Sequence, residues 1–473
     1  MGRSTAFALV GAAAAIGAAI RLAVNRGLSL DEIRNLDQAH QPFGQLIVGL
    51  IHTGVHPPLY PVLEWCVIRL LGDTNFAVRL PSLVAGVALI PAAAWLAVEL
   101  FDRRTGVVVA LLTAVAPVLV WYSQEASNYI LVALFGTLAV LGATRAIRRG
   151  APMDWGLHVF GCALAVWSGW SGLLIVLATE VTLLGVLVHR RRTGVPVAPF
   201  LKGWAIDSLA LACQLVPLIL LLVSQLHGNG GLSGVAGVAS SGVSFYSAVS
   251  NISWGLFGFH PGTVTGVLSA LWPLVMLACL LLIGRELGRR GWLLIVCALI
   301  PAIGVFALGL AAPTSFDVRY AIVSVPLILV LLARVVTGWS RSRAGRVLVA
   351  AGMLIVLVGA LIDQQVNANN PRRYDYQRAY AQVQRDASPG SAVYYAPAGL
   401  SIVQGHFAPG LNGSKLTTRL PTRAQSRSVF VITSFSNQPA LKALLNRDIG
   451  ALRATRHLVS HRHYPGITVW WFR

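Results

Sequence analysis

Long apolar stretches separated by short polar ones dominate the first 366 residues of this 473-residue chain. Windows of about 20 apolar residues recur, and a helix of that length crosses about 30 Å of hydrocarbon. Charged residues make up only 11% of the chain and the mean hydropathy is +0.68, whereas about 25% charged residues is usual in soluble proteins. The pattern predicts an all-α polytopic membrane protein. Its eleven predicted spans lie near residues 5–24, 79–100, 106–122, 129–147, 155–170, 171–189, 204–224, 264–283, 291–312, 319–338 and 346–366.

Basic residues cluster at every second connection between these spans, and by the positive-inside rule they mark the cytoplasmic loops. Arg3 places the N-terminus on the same side, and the odd number of spans places the C-terminus outside. The basic clusters lie at 103–104, 145–149, 190–202, 285–290 and 341–346. The loops expected outside are 25–78, 123–128, 225–263 and 313–318.

Residues 367–473 have a different pattern, which predicts a small extracytoplasmic α/β domain. A helix is expected over about 372–387, strands at 391–396, 428–434 and 466–472, and a second helix near 437–447. The segment holds 14 Lys and Arg against three acids, a net charge of +11. Two interpretations stay open for this basic domain: adhesion to anionic lipid headgroups, or docking of an anionic or glycolipid acceptor. No nucleic-acid partner is expected.

Two domains are therefore predicted. Residues 1–366 form the membrane domain, which includes the outward loop 25–78 with its juxtamembrane helices, and residues 367–473 form the basic domain. Arg outnumbers Lys 34 to 3, which indicates a GC-rich bacterial genome. The expected location is the bacterial plasma membrane.

The first outward loop carries a carboxylate pair, Asp31 and Glu32, in a chain with only 17 acids. Together with Asp37 they fall in a predicted short helix that Ser29 or Asp31 could cap. A cap alone does not explain the adjacent Glu32. Acids at the edge of a membrane domain are costly to place, so the pair is the first candidate for chemistry.

The same loop contains the run His56–Pro61, whose prolines impose a stiff, extended backbone before an apolar segment. That segment, about 59–71, is too short to span and is expected to lie along the membrane surface as an amphipathic helix. His56 has three open interpretations: a ligand, a proton carrier, or a plain turn residue.

Two more outward positions carry isolated charges. Glu125 is the only charged residue of the second outward loop, between the aromatic residues Trp121 and Tyr129. Arg319 begins the tenth span on the outer side, where the positive-inside rule gives it no topological purpose. An arginine there suits bidentate binding of a phosphate, and the alternative is an ion pair with Asp317.

Taken in order, these motifs resemble those of the GT-C superfamily of membrane glycosyltransferases, in particular protein O-mannosyltransferases and the aminoarabinose transferases of lipid A. The resemblance is clearest over about residues 1–150 and thins to general topology afterwards. The matching motifs are Asp31-Glu32, the HPPLY run of residues 56–60, RLPS at Arg79–Ser82, SQEA at Ser123–Ala126 and the pair Arg319-Tyr320.

The resemblance implies an enzyme that transfers a sugar, such as mannose or arabinose, from a polyprenyl-phosphate donor to a cell-envelope glycan, lipid or protein hydroxyl outside the membrane, with inversion. It makes Asp31 the general base, which fits an alcohol nucleophile that must lose a proton. Glu32 and Glu125 would orient the acceptor or hold a divalent cation such as Mg²⁺ or Mn²⁺; no cofactor is certain. The leaving phosphate would be bound by Arg319, His56 and Tyr320, and the acceptor or sugar would be positioned by Asp37, Tyr60, Tyr122 and Gln124.

A membrane transporter or flippase of a lipid-linked sugar is the alternative. Such proteins place ionisable residues near the bilayer midplane and often show internal repeats. The best candidates here are Glu180 and Asp207, both toward the predicted cytoplasmic ends of their spans, and no internal repeat is evident.

Overall fold

The computed structural model forms two compact units: Met1–Val24 with Ala39–Gln365, and Asn25–Gln38 with Val366–Arg473. We call them the membrane unit and the C-terminal unit. Residues 25–38 cluster with the C-terminal unit, whereas the sequence analysis assigned them to the membrane domain. The structure describes residues 1–23, 26–231, 244–286, 288–311, 317–338, 342–370, 372–416, 426–434 and 439–473.

Helices account for nearly all of the membrane unit. In chain order the helices up to the C-terminal segment are α1 (Arg3–Leu22), α2 (Leu30–Ala39, mostly in the C-terminal unit), α3 (Phe43–His52), α4 (Leu59–Leu71), α5 (Asn75–Leu100), α6 (Arg103–Val115), α7 (Pro117–Ser123), α8 (Tyr129–Arg148), α9 (Pro152–Ser168), α10 (Gly172–Arg192), α11 (Ala198–Gly228), α12 (Phe245–Phe257), α13 (Gly262–Glu286), α14 (Gly288–Ala311), α15 (Ser324–Gly338) and α16 (Arg343–Val366), with a 3-10 turn at Val318–Ala321.

The chain is a multi-pass membrane protein. Within the described residues, seven helices are long and apolar enough to cross a bilayer, and an eighth span follows if α6 and α7 count as one. The predicted total of eleven is not confirmed. The predicted spans at 155–170 and 319–338 correspond to helices of 17 and 15 residues, which are short for a crossing. The predicted surface helix at 59–71 is α4.

The predicted span 106–122 is broken into α6 and α7, which bend by 59° at the junction. Pro117 is the first residue of α7. Proline is tolerated at a helix start, but inside a helix it removes a hydrogen bond and its ring clashes with the preceding turn. Hydropathy does not register this break, which turns Trp121, Tyr122 and Ser123 away from the line of α6.

Small residues let α8 and α9 pack closely. A Cβ on Gly142 or Gly161 would overlap the backbone of the facing helix. Close backbone approach through small residues is a common mode of helix packing in membranes, where lipid offers no hydrophobic driving force between helices.

The C-terminal unit contains a five-stranded sheet of order β2-β1-β3-β5-β4. The first three strands in that order are parallel, and β5 pairs antiparallel with both β3 and β4. Every residue of β3 is buried, as expected for a central strand covered on both faces. The elements are α17 (Tyr376–Asp386), β1 (Ala392–Ala396), α18 (Leu400–Phe407), β2 (Gly413–Lys415), β3 (Val429–Ser434), α19 (Pro439–Thr455), β4 (Leu458–Tyr464) and β5 (Ile467–Phe472).

The sequence predictions of α17, β1, β3, α19 and β5 are confirmed, and the sequence missed α18, β2 and β4. The chain at the start of α2 packs within this unit. Gly27 lies close to the Tyr374 carbonyl, and the Leu30 side chain lies beside Gly399.

Candidate active site

Three of the sequence motifs meet around Ser82 in the membrane unit. Its hydroxyl donates to the Ser127 carbonyl (2.9 Å) and lies 3.5 Å from the Tyr60 hydroxyl. Tyr60 in turn donates to the Val78 carbonyl (3.3 Å). The HPPLY run, the RLPS motif and the second outward loop are therefore joined by hydrogen bonds, although they are far apart in sequence. Tyr60 is buried, so its contacts here are structural, and its role toward a sugar stays a prediction.

Arg21, near the end of α1, holds the start of the second outward loop. The side chain is fully buried, and its Nε donates to Ser123 Oγ (3.0 Å). Gly86 in α5 makes room for this contact, because a Cβ there would overlap Ser123 Oγ. The sequence analysis missed Arg21, which could have been recognised as an arginine inside a predicted membrane span. The remaining donors bind the carbonyls of Gly17, Thr113 and Ala114 at 2.9–3.2 Å.

Gln124 ties the same loop to two helices. Its Nε2 donates to the Ile20 carbonyl of α1 (3.1 Å), and its Oε1 accepts from Gln365 Nε2 of α16 (2.9 Å). The side chain is buried. These contacts fix the backbone beside Glu125, and the predicted part of Gln124 in positioning a sugar or acceptor is untested.

Glu125 has a carboxylate with a set direction. Its side chain is only 7% exposed, and Trp121 Nε1 donates to its Oε2 (2.9 Å). The Trp121 ring packs edge-on against Phe259 at 5.5 Å between centroids. The Glu125 carboxylate is therefore bound by the Trp121 indole, whose own position is fixed by packing against Phe259.

An aromatic chain links this loop to the late motif Arg319-Tyr320. Tyr122 contacts Tyr129 edge-on (5.3 Å), and Tyr129 contacts Tyr320 (6.3 Å). The Arg319 guanidinium lies over the rings of Tyr129 (5.7 Å) and Tyr320 (5.1 Å). We call Tyr122, Tyr129, Arg319 and Tyr320 the Arg319 cluster. It brings together two motifs that are about 190 residues apart.

Arg319 is oriented from its own turn. The Asp317 carboxylate caps the 3-10 turn by accepting from the Arg319 backbone N–H (3.0 Å), and Asn251 Oδ1 accepts from the Val318 N–H (2.7 Å). The side-chain ion pair between Arg319 Nε and Asp317 Oδ2 is long, at 3.8 Å, and the Arg319 side chain is 24% exposed. A partly exposed pair at this separation is weak. The ion pair that the sequence left open as the alternative is present at this distance.

His56 lies in the same unit, with its carbonyl accepting from Gln225 Nε2 of α11 (3.1 Å). The residue is half-buried. This contact anchors the backbone of the proline run, and the predicted role of the imidazole at a phosphate stays a prediction.

Asp31, Glu32 and Asp37 lie on α2, in the C-terminal unit. Ser29 and Glu32 form a capping box: the Ser29 N–H donates to Glu32 Oε2 (2.8 Å), and Ser29 Oγ accepts from the Glu32 N–H (3.3 Å). Of the two caps that the sequence allowed, the structure has Ser29, and Glu32 is the second half of the motif. Asp31 and Asp37 are exposed. The two adjacent acids therefore differ: the Glu32 side chain is buried and belongs to the capping box, whereas the Asp31 side chain is exposed to solvent.

The carboxylates of Glu32 and Glu125 are the ligands predicted for a divalent cation. One oxygen of each already accepts a hydrogen bond from a neutral N–H donor. In the described part of the membrane unit, the group of three acidic or histidine ligands close enough to share an ion is His158, Glu180 and Asp207, which does not include Glu125. The cation at Glu32 and Glu125 stays a prediction.

The family of dolichyl-phosphate-mannose-protein mannosyltransferases matches residues 55–211, about one third of the chain. This range includes the Ser82 junction and the Glu125 loop. No curated protein matches the sequence.

Solved structures resemble the chain over its full length. ArnT from Cupriavidus metallidurans, bound to undecaprenyl phosphate, is 12% identical with a TM-score of 0.52, and the match covers 99% of this chain and 98% of ArnT. The archaeal oligosaccharyltransferase AglB from Archaeoglobus fulgidus, in complex with an inhibitory peptide and a dolichol-phosphate, is 12% identical with a TM-score of 0.57, covering 98% and 74%. The same oligosaccharyltransferase in complex with Zn and sulfate is 13% identical with a TM-score of 0.51, covering 93% and 69%.

Fold and motifs together define the class. The chain has the GT-C membrane glycosyltransferase fold and resembles the O-mannosyltransferases and ArnT.

Proposed function

We propose that the protein transfers a sugar from a polyprenyl-phosphate donor to a hydroxyl of a cell-envelope glycan, lipid or protein. The reaction takes place on the extracytoplasmic side of a bacterial plasma membrane, with the N-terminus in the cytoplasm. The support is the ordered set of motifs, the match to a mannosyltransferase family over residues 55–211 and the likeness to transferases whose structures contain polyprenyl phosphates.

The Arg319 cluster is the observation that carries this proposal. The bond between the anomeric carbon of the sugar and the phosphate oxygen breaks, so negative charge develops on the oxygen of the leaving polyprenyl phosphate. A guanidinium that is always charged and held over two tyrosine rings is preorganised to receive it. Asp317 holds the turn that carries the guanidinium, because its carboxylate accepts from the Arg319 backbone N–H. Arg319 therefore binds the leaving phosphate, with Tyr320 and His56 as its predicted partners.

Asp31 is the general base in this proposal. An acceptor hydroxyl must lose its proton as it attacks the anomeric carbon, and a carboxylate within hydrogen-bond reach accepts that proton. A single attack from the face opposite the phosphate inverts the anomeric centre. Asp31 lies in the first turn of α2 with its side chain exposed, so it can reach a ligand.

The other predicted residues orient the reactants. The Glu125 carboxylate has a fixed direction, set by Trp121, and suits an acceptor or sugar hydroxyl. Asp37 is the further exposed acid on α2. Tyr60, Tyr122 and Gln124 are the further predicted positioning residues for the acceptor or sugar, and their side chains are buried.

The test uses the full chain in nanodiscs with radiolabelled polyprenyl-phosphate mannose or arabinose and a cell-envelope extract. We expect Arg319→Gln to lower kcat by about 10²-fold or more, as for the loss of one transition-state donor, and Arg319→Lys to recover part of it. Arg69→Gln is the matched control, since Arg69 also lies over an aromatic ring, Trp65 (5.2 Å). Equal activity of Arg319→Gln and Arg69→Gln would remove the phosphate role from Arg319.

A transporter or flippase remains the second candidate, and one observation favours it. His158, Glu180 and Asp207 bring ionisable groups together inside the helical bundle, as transporters do. The same assay separates the two functions. Movement of intact lipid-linked sugar across the membrane, with no label on any acceptor, would favour transport.

A further inference from the structure

Three helices of the membrane unit bring polar side chains together within the bundle. His158 of α9 and Asp207 of α11 are 0% and 1% exposed, and His158 Nδ1 lies 3.0 Å from both Asp207 oxygens. Glu180 of α10 completes the group. One potential ligand atom from each of the three residues lies within 4.8 Å of the others. None of these three residues has a part in the proposed reaction.

The two carboxylates of this group, Glu180 and Asp207, need a compensating positive charge. Two carboxylates so close together in an apolar bundle repel each other, and each is costly to bury without compensation. A protonated His158 offsets only one of them. A divalent cation bound by a neutral imidazole and two carboxylates brings the group to zero net charge.

The contacts around the group involve both ring nitrogens of His158 and one oxygen of Glu180. His158 Nδ1 is hydrogen-bonded to the Asp207 carboxylate, and its Nε2 lies 3.3 Å from Cys162 Sγ. With the ring proton on Nε2, a bound ion would take the place of the proton between Nδ1 and Asp207. Trp204 Nε1 donates to Glu180 Oε2 (2.8 Å). The other oxygen, Oε1, is buried and accepts no hydrogen bond within the described residues. Partners of this kind, on the atoms that do not bind, orient the ligands of metal sites.

The distances and the ligand types suit a transition metal. Nitrogen and oxygen ligands bind zinc at about 2.0–2.2 Å, and a nitrogen and an oxygen 3.0 Å apart can both bind one ion at that distance. A ligand atom of Glu180 lies within 4.8 Å of those of His158 and Asp207, and a side-chain rotation would bring it to the same ion. An imidazole with two carboxylates favours zinc-class ions over Ca²⁺, which takes six to eight oxygens.

A cavity of about 720 Å³ lies beside the group, between α9 and α11, with Asp207 among its lining residues.

We propose that His158, Glu180 and Asp207 form a binding site for a divalent transition metal of the zinc class, which fixes α9, α10 and α11 to one another. This site is independent of the proposed glycosyl transfer, and its test does not use that activity.

The test measures zinc bound to the purified full chain in nanodiscs after equilibration with micromolar Zn²⁺ and desalting. We expect about one zinc per chain for the wild type, and at least tenfold weaker binding for His158→Gln and Asp207→Asn. His189→Gln is the matched control, since His189 is an exposed histidine of α10, and it should bind as the wild type does. Wild-type protein without zinc above the buffer level would overturn the site, because protons would then neutralise the carboxylates. Zinc retained in full by both site variants would overturn it equally.

X-ray absorption on the wild-type zinc complex covers the case in which the variants fail to fold. Nitrogen and oxygen neighbours at about 2.0–2.2 Å with one imidazole would support the assignment. A sulfur neighbour near 2.3 Å would overturn this ligand set, because Cys162 would then bind the ion.

Discussion

The capping box at the start of α2 separates the two acids that the sequence presents as a pair. Glu32 accepts the Ser29 N–H at 2.8 Å, while Asp31 is exposed. If Glu32 acts through this hydrogen bond, its charge is not needed. Glutamine also serves at this position of a capping box. Glu32→Gln should therefore keep both the helix start and the transfer activity, whereas Asp31→Asn should keep the helix and lose the activity.

The magnitudes make this distinction measurable. Loss of a capping interaction costs about 1 kcal/mol, so Glu32→Ala should raise the hydrogen-exchange rate of the α2 amides by about fivefold. Ser29→Ala removes the other half of the box and should give a similar increase. Loss of a general base lowers the rate by about 10²–10⁴-fold. The structural effect and the catalytic effect thus differ by more than an order of magnitude.

The assay combines hydrogen exchange on α2 with sugar transfer by the same preparations. Asp73→Asn is the control for Asp31→Asn, because Asp73 is an exposed acid outside α2. A Glu32→Gln variant with normal exchange and a 10²-fold loss of transfer would refute the reasoning. Glu32 would then act in the reaction through its charge, as the resemblance implies.

Three further predictions test other parts of the structure. Gly86→Ala should reduce the yield and thermal stability of folded protein in detergent, because its Cβ would overlap the Arg21 contact, whereas Gly11→Ala meets open space and should be neutral. Asn251→Ala leaves a buried N–H in the turn of Arg319 without its acceptor, at a cost of about 1–3 kcal/mol, and should weaken polyprenyl-phosphate binding measured by competition. Burial raises the pKa of the Tyr376 phenol, so this phenol ionises at lower pH in the unfolded chain than in the folded one. The C-terminal unit should therefore lose stability above about pH 10. Alkaline unfolding followed by phenolate absorbance should show a smaller loss of stability for Tyr376→Phe.

Elements with a strong local pattern could be predicted from the sequence. The strands β1, β3 and β5 are short apolar runs bounded by polar residues, and α4 follows a proline run that fixes where it begins. The capping box is also recognisable from the sequence alone, because Ser29 and Glu32 have the required spacing of three residues.

Contacts between distant segments could not be predicted in the same way. Hydropathy shows 106–122 as one span, because a single proline among many apolar residues changes the window average little, whereas its backbone geometry breaks the helix. Arg21 was readable as an arginine in an apolar span, but its acceptor Ser123 lies 102 positions away. The Arg319 cluster likewise depends on aromatic contacts between α8 and a turn near residue 320, which no spacing in one sequence reveals.

The most direct test of the central claim is transfer of radiolabelled sugar from a polyprenyl-phosphate donor by the full chain in nanodiscs. We predict that label moves to an envelope acceptor and that Asp31→Asn lowers the rate by at least about 10²-fold without loss of folded protein. Label that stays on the polyprenyl donor with every envelope fraction would contradict the proposed function, and full activity of Asp31→Asn would contradict the assignment of the base.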